Sequence, residues 1–447
     1  MNFSATNFKN FSIFGIGAIV LASPLRAAQS VSHYGITWTF SADRPTGKFA
    51  NGEPWVIGPV TITAIQKPSV PVDSTPVGGA MINPIPNRVQ GYCPRYTNAG
   101  DRSVYDASLD VSLKYPFDLA TGDALVTARA LNTGEAGGNN YVDTICILTV
   151  IAAAPPEGSF RPDPYGTDRT IRFNKSDIDW TVLKNLAPVA ATPTQAWIEA
   201  KLPALPWFEW DTQWVGSTVA PMANAGSGDG GTFRSNYGRD IAFKWTYIAL
   251  WLNVNHTQSV KEKTMIQTIQ CGLDIASYLK HGGGFPANGG HKVGRKFPLF
   301  LAAVALKDPA LLALASNPSL FQEDQTTFVV QQSDVGRVVE AGAAGTYIQE
   351  DVGNADWGFR HSWEPFKDDR RWRDGNPYRF SNWPGMAGQV MAAEFMGHKD
   401  AWGHPEIFAY TERFVSKEGL GNGFEGQMWD THKLGRPSAP QGLKKKR

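Results

Sequence analysis

Residues 281–298 read HGGGFPANGGHKVGRKFP and run directly into LFLAAVAL at residues 299–306. Glycine loses the most conformational freedom when it is ordered, so the five glycines of residues 282–290, together with Pro286, predict irregular structure. The apolar run that follows predicts a helix that is buried on every side. A polar loop anchored to a buried helix is a common way to present reactive side chains. The alternative is a surface loop whose basic residues are only solvated.

The sequence around this loop has mostly helical spacing. Helices are predicted at residues 194–202, 237–255, 297–306, 309–315, 384–396 and 404–414, and Ser259 and Glu262 form a capping box that predicts another. Helices joined by short turns predict antiparallel helical hairpins. Residues 321–382 are rich in charge and tryptophan, and they form too long a segment to be only a connector.

Residues 31–155 instead have the β-branched content and alternation of strands. Strands are predicted at residues 35–40, 55–65, 107–113, 124–130 and 141–151. The sequence therefore predicts a multidomain β + α protein. An N-terminal antiparallel β-sandwich over residues 31–155 is joined by a linker at 156–172 to a helical domain at 173–440.

The two ends of the chain have patterns of their own. Residues 11–22 (FSIFGIGAIVLA) follow Lys9 and precede Ala27 and Ala28, which is the layout of a secretory signal peptide over residues 1–28. The apolar run is too short to span a bilayer comfortably, although a retained anchor is the alternative. We therefore expect a secreted or periplasmic protein without stable membrane insertion. Residues 441–447 are expected to be a basic disordered tail.

Composition narrows the class of partner. The 447 residues carry a formal net charge of +1, which argues against the broad basic surface that nucleic-acid binding requires. Fifteen tryptophans in a chain that is 12% aromatic favour carbohydrate, because aromatic faces pack against the C–H faces of sugar rings. Cys93 and Cys146 lie in the same β-rich region, where a disulfide is compatible with an oxidising compartment. Cys271 is expected to be a buried thiol.

A secreted chain with a β-sandwich, helical hairpins and long aromatic, cationic loops resembles the α/α-toroid carbohydrate-active enzymes, especially polysaccharide lyases. The resemblance covers most of the mature chain at the level of architecture, with a domain order that is reversed from many members. It implies an (α/α) toroid or partial toroid at residues 173–440. It also implies β-elimination on an acidic, uronate-containing polysaccharide, in which neutralising the carboxylate acidifies the C5 proton.

The chain contains the residue types that this chemistry requires. The expected catalytic residues are His291 as the base, Tyr378 or Tyr347 as the acid, and Asn288 or Asn236 as the carboxylate neutraliser. The expected substrate-binding residues are Arg295, Lys292, Arg360, His361, Arg379, Trp210, Trp214 and Tyr237. Histidine titrates near neutral pH, and the planar fork of arginine matches a carboxylate. Asn236 is also a good helix N-cap, and Arg379 could pair with a nearby aspartate.

Two other classes of function remain open. A glycoside hydrolase needs two carboxylates, for which the candidates are Asp211, Asp240, Glu323 with Asp324, and Glu350 with Asp351. A noncatalytic glycan-binding protein is the third class. No cofactor is expected, although acids such as Asp351 and Asp356 are compatible with a structural calcium ion.

Overall fold

The computed structural model of the protein describes residues 26–67, 77–94, 104–130, 142–202, 206–210, 218–219, 238–287, 290–336, 347–358 and 382–433. The first part of this chain is built mainly from strands and the second part mainly from helices. This confirms the predicted mixture of β and α structure. The predicted signal peptide lies almost entirely outside the described residues, as does the basic tail. Arg26, Ala27 and Ala28 already pair with Thr46, Pro45 and Arg44 in a strand.

Eight strands of the N-terminal part form one sheet. They are β1 Arg26–His33, β2 Ile36–Lys48, β3 Pro54–Ile57, β4 Val60–Gln66, β5 Ala80–Ile82, β8 Phe117–Leu119, β9 Ala124–Ala130 and β10 Val142–Ile151. Their order in the sheet is β5-β9-β10-β3-β2-β4-β8, and β1 also pairs with β2. Short pairs are formed by β6 Val89–Gln90 with β7 Val104–Tyr105, β11 Phe208–Glu209 with β12 Thr218–Val219, and β13 Thr327–Val329 with β14 Ala355–Trp357.

The N-terminal sheet differs from the prediction in its organisation. The eight strands of the large sheet are continuous because the long strand β2 pairs with β1, β3 and β4. The β10–β3 pairing is parallel, whereas the sequence predicted an antiparallel arrangement. The predicted strand at residues 107–113 is wrong. Asp106 and Asp110 accept hydrogen bonds from the backbone N–H groups of Ser108 and Ser112, and these caps produce two short 3-10 turns.

The helices are α1 Gln195–Glu199, α2 Gly238–Leu252, α3 Gln258–Lys280, α4 Lys296–Leu306, α5 Pro309–Ala315, α6 Gln322–Gln325, α7 Pro384–Phe395, α8 Glu406–Glu418 and α9 Phe424–Met428. The sequence predicted all of these except the short helices α6 and α9. Every residue of α4 is buried, as its apolar sequence predicts. The predicted capping box of α3 is wrong, because Thr257 is the N-cap and Glu262 pairs with Lys175. No helix in the described ranges combines the length and apolar content that crossing a membrane requires.

The first turn of α7 packs closely against α2. A methyl group added at Gly385 would lie 3.0 Å from the backbone nitrogen of Phe243, and one at Gly388 would lie 3.0 Å from Leu250. Gly388 therefore permits a close approach that a larger residue would prevent. The loop before α4 contacts the same end of α2, since a methyl group at Gly294 would lie 2.8 Å from Cα of Ala242. The loop before α4 and the first turn of α7 consequently both contact the first half of α2.

A buried ion network joins the sheet to the helices. Arg161 donates from Nε to Glu53, which follows strand β2, at 2.6 Å, and it also donates to Asp274 of α3. The three side chains are at most 2% exposed. Because a buried charge is stable only when it is paired, this network fixes the position of the sheet against α3. The disulfide that the sequence left open is not formed: Cys93 and Cys146 are buried thiols in different core clusters.

Candidate functional site

The basic segment, residues 290–296, is held between the first turn of α2 and the start of α4. The backbone N–H of Arg239 donates to the carbonyl of Gly290 at 2.8 Å. Arg295 donates from Nη1 to the carbonyls of His291 and Val293, at 3.0 and 2.8 Å. The side chain of His291 is half-buried. The glycine-rich sequence thus produces an irregular segment, but one whose backbone is fixed by hydrogen bonds.

Glu209 is the central carboxylate behind this segment. Its Oε2 lies 3.4 Å from Nζ of Lys292, and its Oε1 lies 3.6 Å from Nε of Arg295. All three side chains are completely buried. Trp207 donates from Nε1 to Oε1 of Glu209 at 3.2 Å, and its ring centroid lies 5.6 Å from Cζ of Arg295. Burial lowers the pKa of Arg295, while Glu209 opposes that shift.

A second group of buried charges lies at the N-terminus of α4. Lys296 donates from Nζ to Asp324 and to the carbonyl of Trp402, and Trp402 donates from Nε1 to Asp324 at 3.0 Å. The backbone N–H of Lys296 donates to Oε1 of Glu323 at 3.1 Å. Burial lowers the pKa of Lys296 and raises that of Asp324, so desolvation favours the neutral form of each partner.

Glu323 differs from the other buried acids in this region. Its side chain is fully buried, and Oε2 has no hydrogen-bond partner among the described residues. Burial, followed by the nearby charge of Asp324, raises its pKa to about 7. A carboxyl group with this pKa can hold or release a proton near neutral pH.

The basic segment brings buried charges of both signs together. It lies between the start of α2, where the N–H of Arg239 donates to the carbonyl of Gly290, and the start of α4, where the N–H of Lys296 donates to Glu323. Lys292, Arg295 and Lys296 are its three buried cationic side chains, and Glu209, Glu323 and Asp324 are the acids beside them.

Several of the predicted site residues contact other side chains of the protein instead of lying open to a substrate. Lys292 and Arg295, expected to bind substrate, are fully buried beside Glu209. Trp210 is 2% exposed and stacks on Tyr92 with ring centroids 5.2 Å apart, so its ring is part of the hydrophobic core. Tyr347 is also buried and donates to Oδ2 of Asp356 at 3.1 Å. Of the expected catalytic residues that the structure describes, His291 is the more exposed.

The remaining predicted residues lie outside the described ranges. They are Asn236, Asn288, Tyr378, Arg360, His361, Arg379, Trp214 and Tyr237, together with the hydrolase candidate Asp211.

The acidic candidates have different environments. Asp240 accepts from Nε of Arg239 at 2.8 Å and is partly exposed, while Asp351 accepts from the backbone of Ile348. Asp356 is buried against Tyr347. Glu323 and Asp324 are buried, contrary to the solvated state that is usual for adjacent acids. Over the described ranges, no three potential metal ligands come together, and neither Asp351 nor Asp356 belongs to such a group.

Sequence reasoning missed Glu209 as a member of this region. It is separated from Lys292 by 83 positions, so no local spacing connects the two residues. The only local signal is that Glu209, an acidic residue, interrupts the aromatic run formed by Trp207, Phe208 and Trp210. Tyr165 holds this residue in place, since its hydroxyl accepts from the N–H of Glu209 and donates to its carbonyl.

Comparison of the chain with protein-family models, with curated proteins and with solved structures finds no match.

Proposed function

We propose that this protein is a secreted polysaccharide lyase that cleaves an acidic, uronate-containing polysaccharide by β-elimination. The observation that carries the proposal is the position of His291, a half-buried imidazole in a segment whose cations Lys292 and Arg295 are held by Glu209. Preorganised positive charge near a uronate stabilises its carboxylate and the enolate-like charge that develops when the C5 proton leaves. These cations are fixed by the fold, so they need no reorganisation during the reaction.

His291 is the proposed base. Its backbone is fixed by neighbouring hydrogen bonds, and its ring is the half-buried side chain of the basic segment. An imidazole that is neutral near pH 7 can accept the C5 proton directly if it reaches that atom. Lys292 and Arg295, being bound to Glu209, act by supplying a fixed positive potential behind His291 rather than by contacting the carboxylate.

The acid is assigned to Tyr378, because Tyr347 is engaged with Asp356 inside a small buried cluster. Asn288 or Asn236 is proposed to neutralise the uronate carboxylate. Arg360, His361, Arg379, Trp214 and Tyr237 remain the proposed substrate contacts. Each of these assignments follows from the residue type and its position in the sequence.

The packing of successive helices supports an (α/α) toroid as the finer description of the helical domain. In a ring of helical hairpins, helices that follow one another in the chain pack side by side. Gly272 of α3 packs against Pro298 and Ala302 of α4, as expected for neighbouring members of such a ring.

A glycoside hydrolase is the second candidate, and Glu323 is the observation that favours it. A general acid for glycoside cleavage is a carboxyl group whose pKa is raised toward neutrality by burial. Glu323 has this property. Its complete burial and its hydrogen bond from the N–H of Lys296 at the start of α4 argue for a structural role, so the lyase is the preferred proposal.

The test is to incubate the protein with alginate, glucuronan, ulvan and neutral glycans. Absorbance in the unsaturated-uronate band and the number of new reducing ends are then followed together. The lyase proposal predicts that both signals rise in step on at least one polyuronate. New reducing ends without absorbance would contradict the lyase and support the hydrolase.

A further inference from the structure

A cavity of about 320 Å³ lies between residues 159–174 and helix α3. The loop closes on itself, because Ser159 and Asn174 form a bridge and the N–H of Phe160 donates to the carbonyl of Phe173 at 2.9 Å. Compact surface loops whose ends meet in this way are frequently functional. The cavity is also of the size that small-ligand sites have.

The wall of the cavity is fixed in place by two arginines. Arg169 donates to the main-chain carbonyls of Asp163 and Gly166, both at 2.7 Å, and to Oδ1 of Asn83 near the sheet. Arg161 is anchored by the buried network described above. Because the loop is already ordered, ligand binding would cost little of its conformational entropy. This increases the affinity that a few contacts can give.

The ionisable side chains that line the cavity include equal numbers of acids and bases. Three carboxylates and three cations contribute to the lining: Asp163, Asp168, Asp274, Arg161, Arg172 and Lys280. Two of the pairs are direct, since Arg161 binds Asp274 and Arg172 lies 2.7 Å from Asp168. A lining with no net formal charge but with many donors and acceptors suits a neutral ligand that has several hydroxyl groups.

The rest of the lining is apolar and includes Phe160, Phe173, Leu273 and Leu311. The half-buried ring of Phe173 stands at the edge of the loop. Aromatic and aliphatic surfaces pack against the C–H face of a sugar ring, while the polar residues bind its hydroxyls. We propose that this cavity binds one neutral sugar ring of a glycan, as an ancillary site at the junction of sheet and helices.

This proposal does not depend on the reaction proposed above. The proposed reaction requires an anionic sugar at the basic segment, whereas the cavity between residues 159–174 and α3 has no excess formal charge that would favour an anionic sugar. The ancillary site can therefore be measured as binding, in the absence of any turnover, and its failure would leave the lyase proposal unchanged.

The experiment is calorimetric titration of the full protein with hexasaccharides of glucose, mannose and xylose, and with an alginate hexasaccharide for comparison. Ala276 of α3 lines the cavity, so Ala276→Leu fills part of it without removing a polar group. The matched control is Ala409→Leu at an exposed position of α8. A second pair is Phe173→Ala, with Trp180→Ala as the control for losing a half-buried ring elsewhere.

We expect at least one neutral hexasaccharide to bind, and we expect Ala276→Leu and Phe173→Ala each to weaken that binding about tenfold. Ala409→Leu and Trp180→Ala should leave it unchanged. Absence of binding by every neutral hexasaccharide would overturn the proposal, as would equal binding by the cavity variants and the controls. Binding of the alginate hexasaccharide alone would overturn the assignment to a neutral sugar.

Discussion

Nζ of Lys292 lies 3.4 Å from Oε2 of Glu209, and both side chains are completely buried. The lysine belongs to the basic segment, and the glutamate belongs to strand β11. Arg295 shares the same carboxylate. This one acidic side chain therefore compensates the charge of two buried cations and determines where the basic segment sits.

We predict that Glu209→Gln strongly destabilises the protein. Removing the shared carboxylate would leave two cations in the interior without the negative charge that compensates them. Breaking a buried pair typically costs about 3–5 kcal/mol, and we expect a loss of this size in the free energy of unfolding. Urea denaturation measures it. Glu262→Gln is the control, because Glu262 and Lys175 form an exposed pair, for which the expected loss is below about 1 kcal/mol. Equal losses in both variants would contradict the central place of Glu209.

Glu323 should make stability depend on pH. Its pKa is about 7 in the folded protein and 4.5 ordinarily, so the folded state binds this proton more tightly than the unfolded chain does. The free energy of unfolding should therefore fall as the pH rises from about 4.5 to 7. Glu323→Gln should remove this fall and leave the variant more stable than the parent above pH 7, by on the order of 3 kcal/mol. Parallel stability curves for the two proteins between pH 4 and 8 would contradict the prediction.

Arg161 should be required for the sheet to dock on the helices. Arg161→Met removes the cation between Glu53 and Asp274, leaving two buried acids near each other. We expect a loss of about 3–5 kcal/mol in the free energy of unfolding. Arg172→Met breaks only an exposed pair with Asp168 and should cost less than about 1 kcal/mol. Hydrogen exchange would locate the effect. Loss of protection in α3 and the adjacent sheet is expected, whereas an unchanged pattern would count against the proposed docking.

The sequence predicted local elements better than their assembly. The apolar run after Arg295 gave α4 to within one residue, because a helix buried on all sides needs no polar face. The strand at residues 107–113 failed because two aspartate caps outweigh β-branched content at that place. The single sheet could not be foreseen, since it depends on β2 being long enough to pair with three strands.

The candidate site shows the same limit. The irregular backbone of the glycine-rich segment before His291 follows from local sequence. The role of Lys292 and Arg295 does not, because their partner Glu209 is remote in the chain. Long basic side chains in a loop suggested exposed substrate contacts, but the fold buries them beside this carboxylate.

The measurement that tests the central claim most directly is the rate at which His291→Ala produces unsaturated uronate from the best polyuronate substrate. The buried cations remain in this variant, so only the proposed proton acceptor is lost. We predict a rate at least about a hundredfold below that of the parent protein, since positioned general bases contribute roughly 10²–10⁴-fold. Asp240→Asn, which alters a partly exposed acid beside Arg239, should keep the parent rate. A rate for His291→Ala within a few-fold of the parent, or a loss of activity confined to Asp240→Asn, would contradict the account.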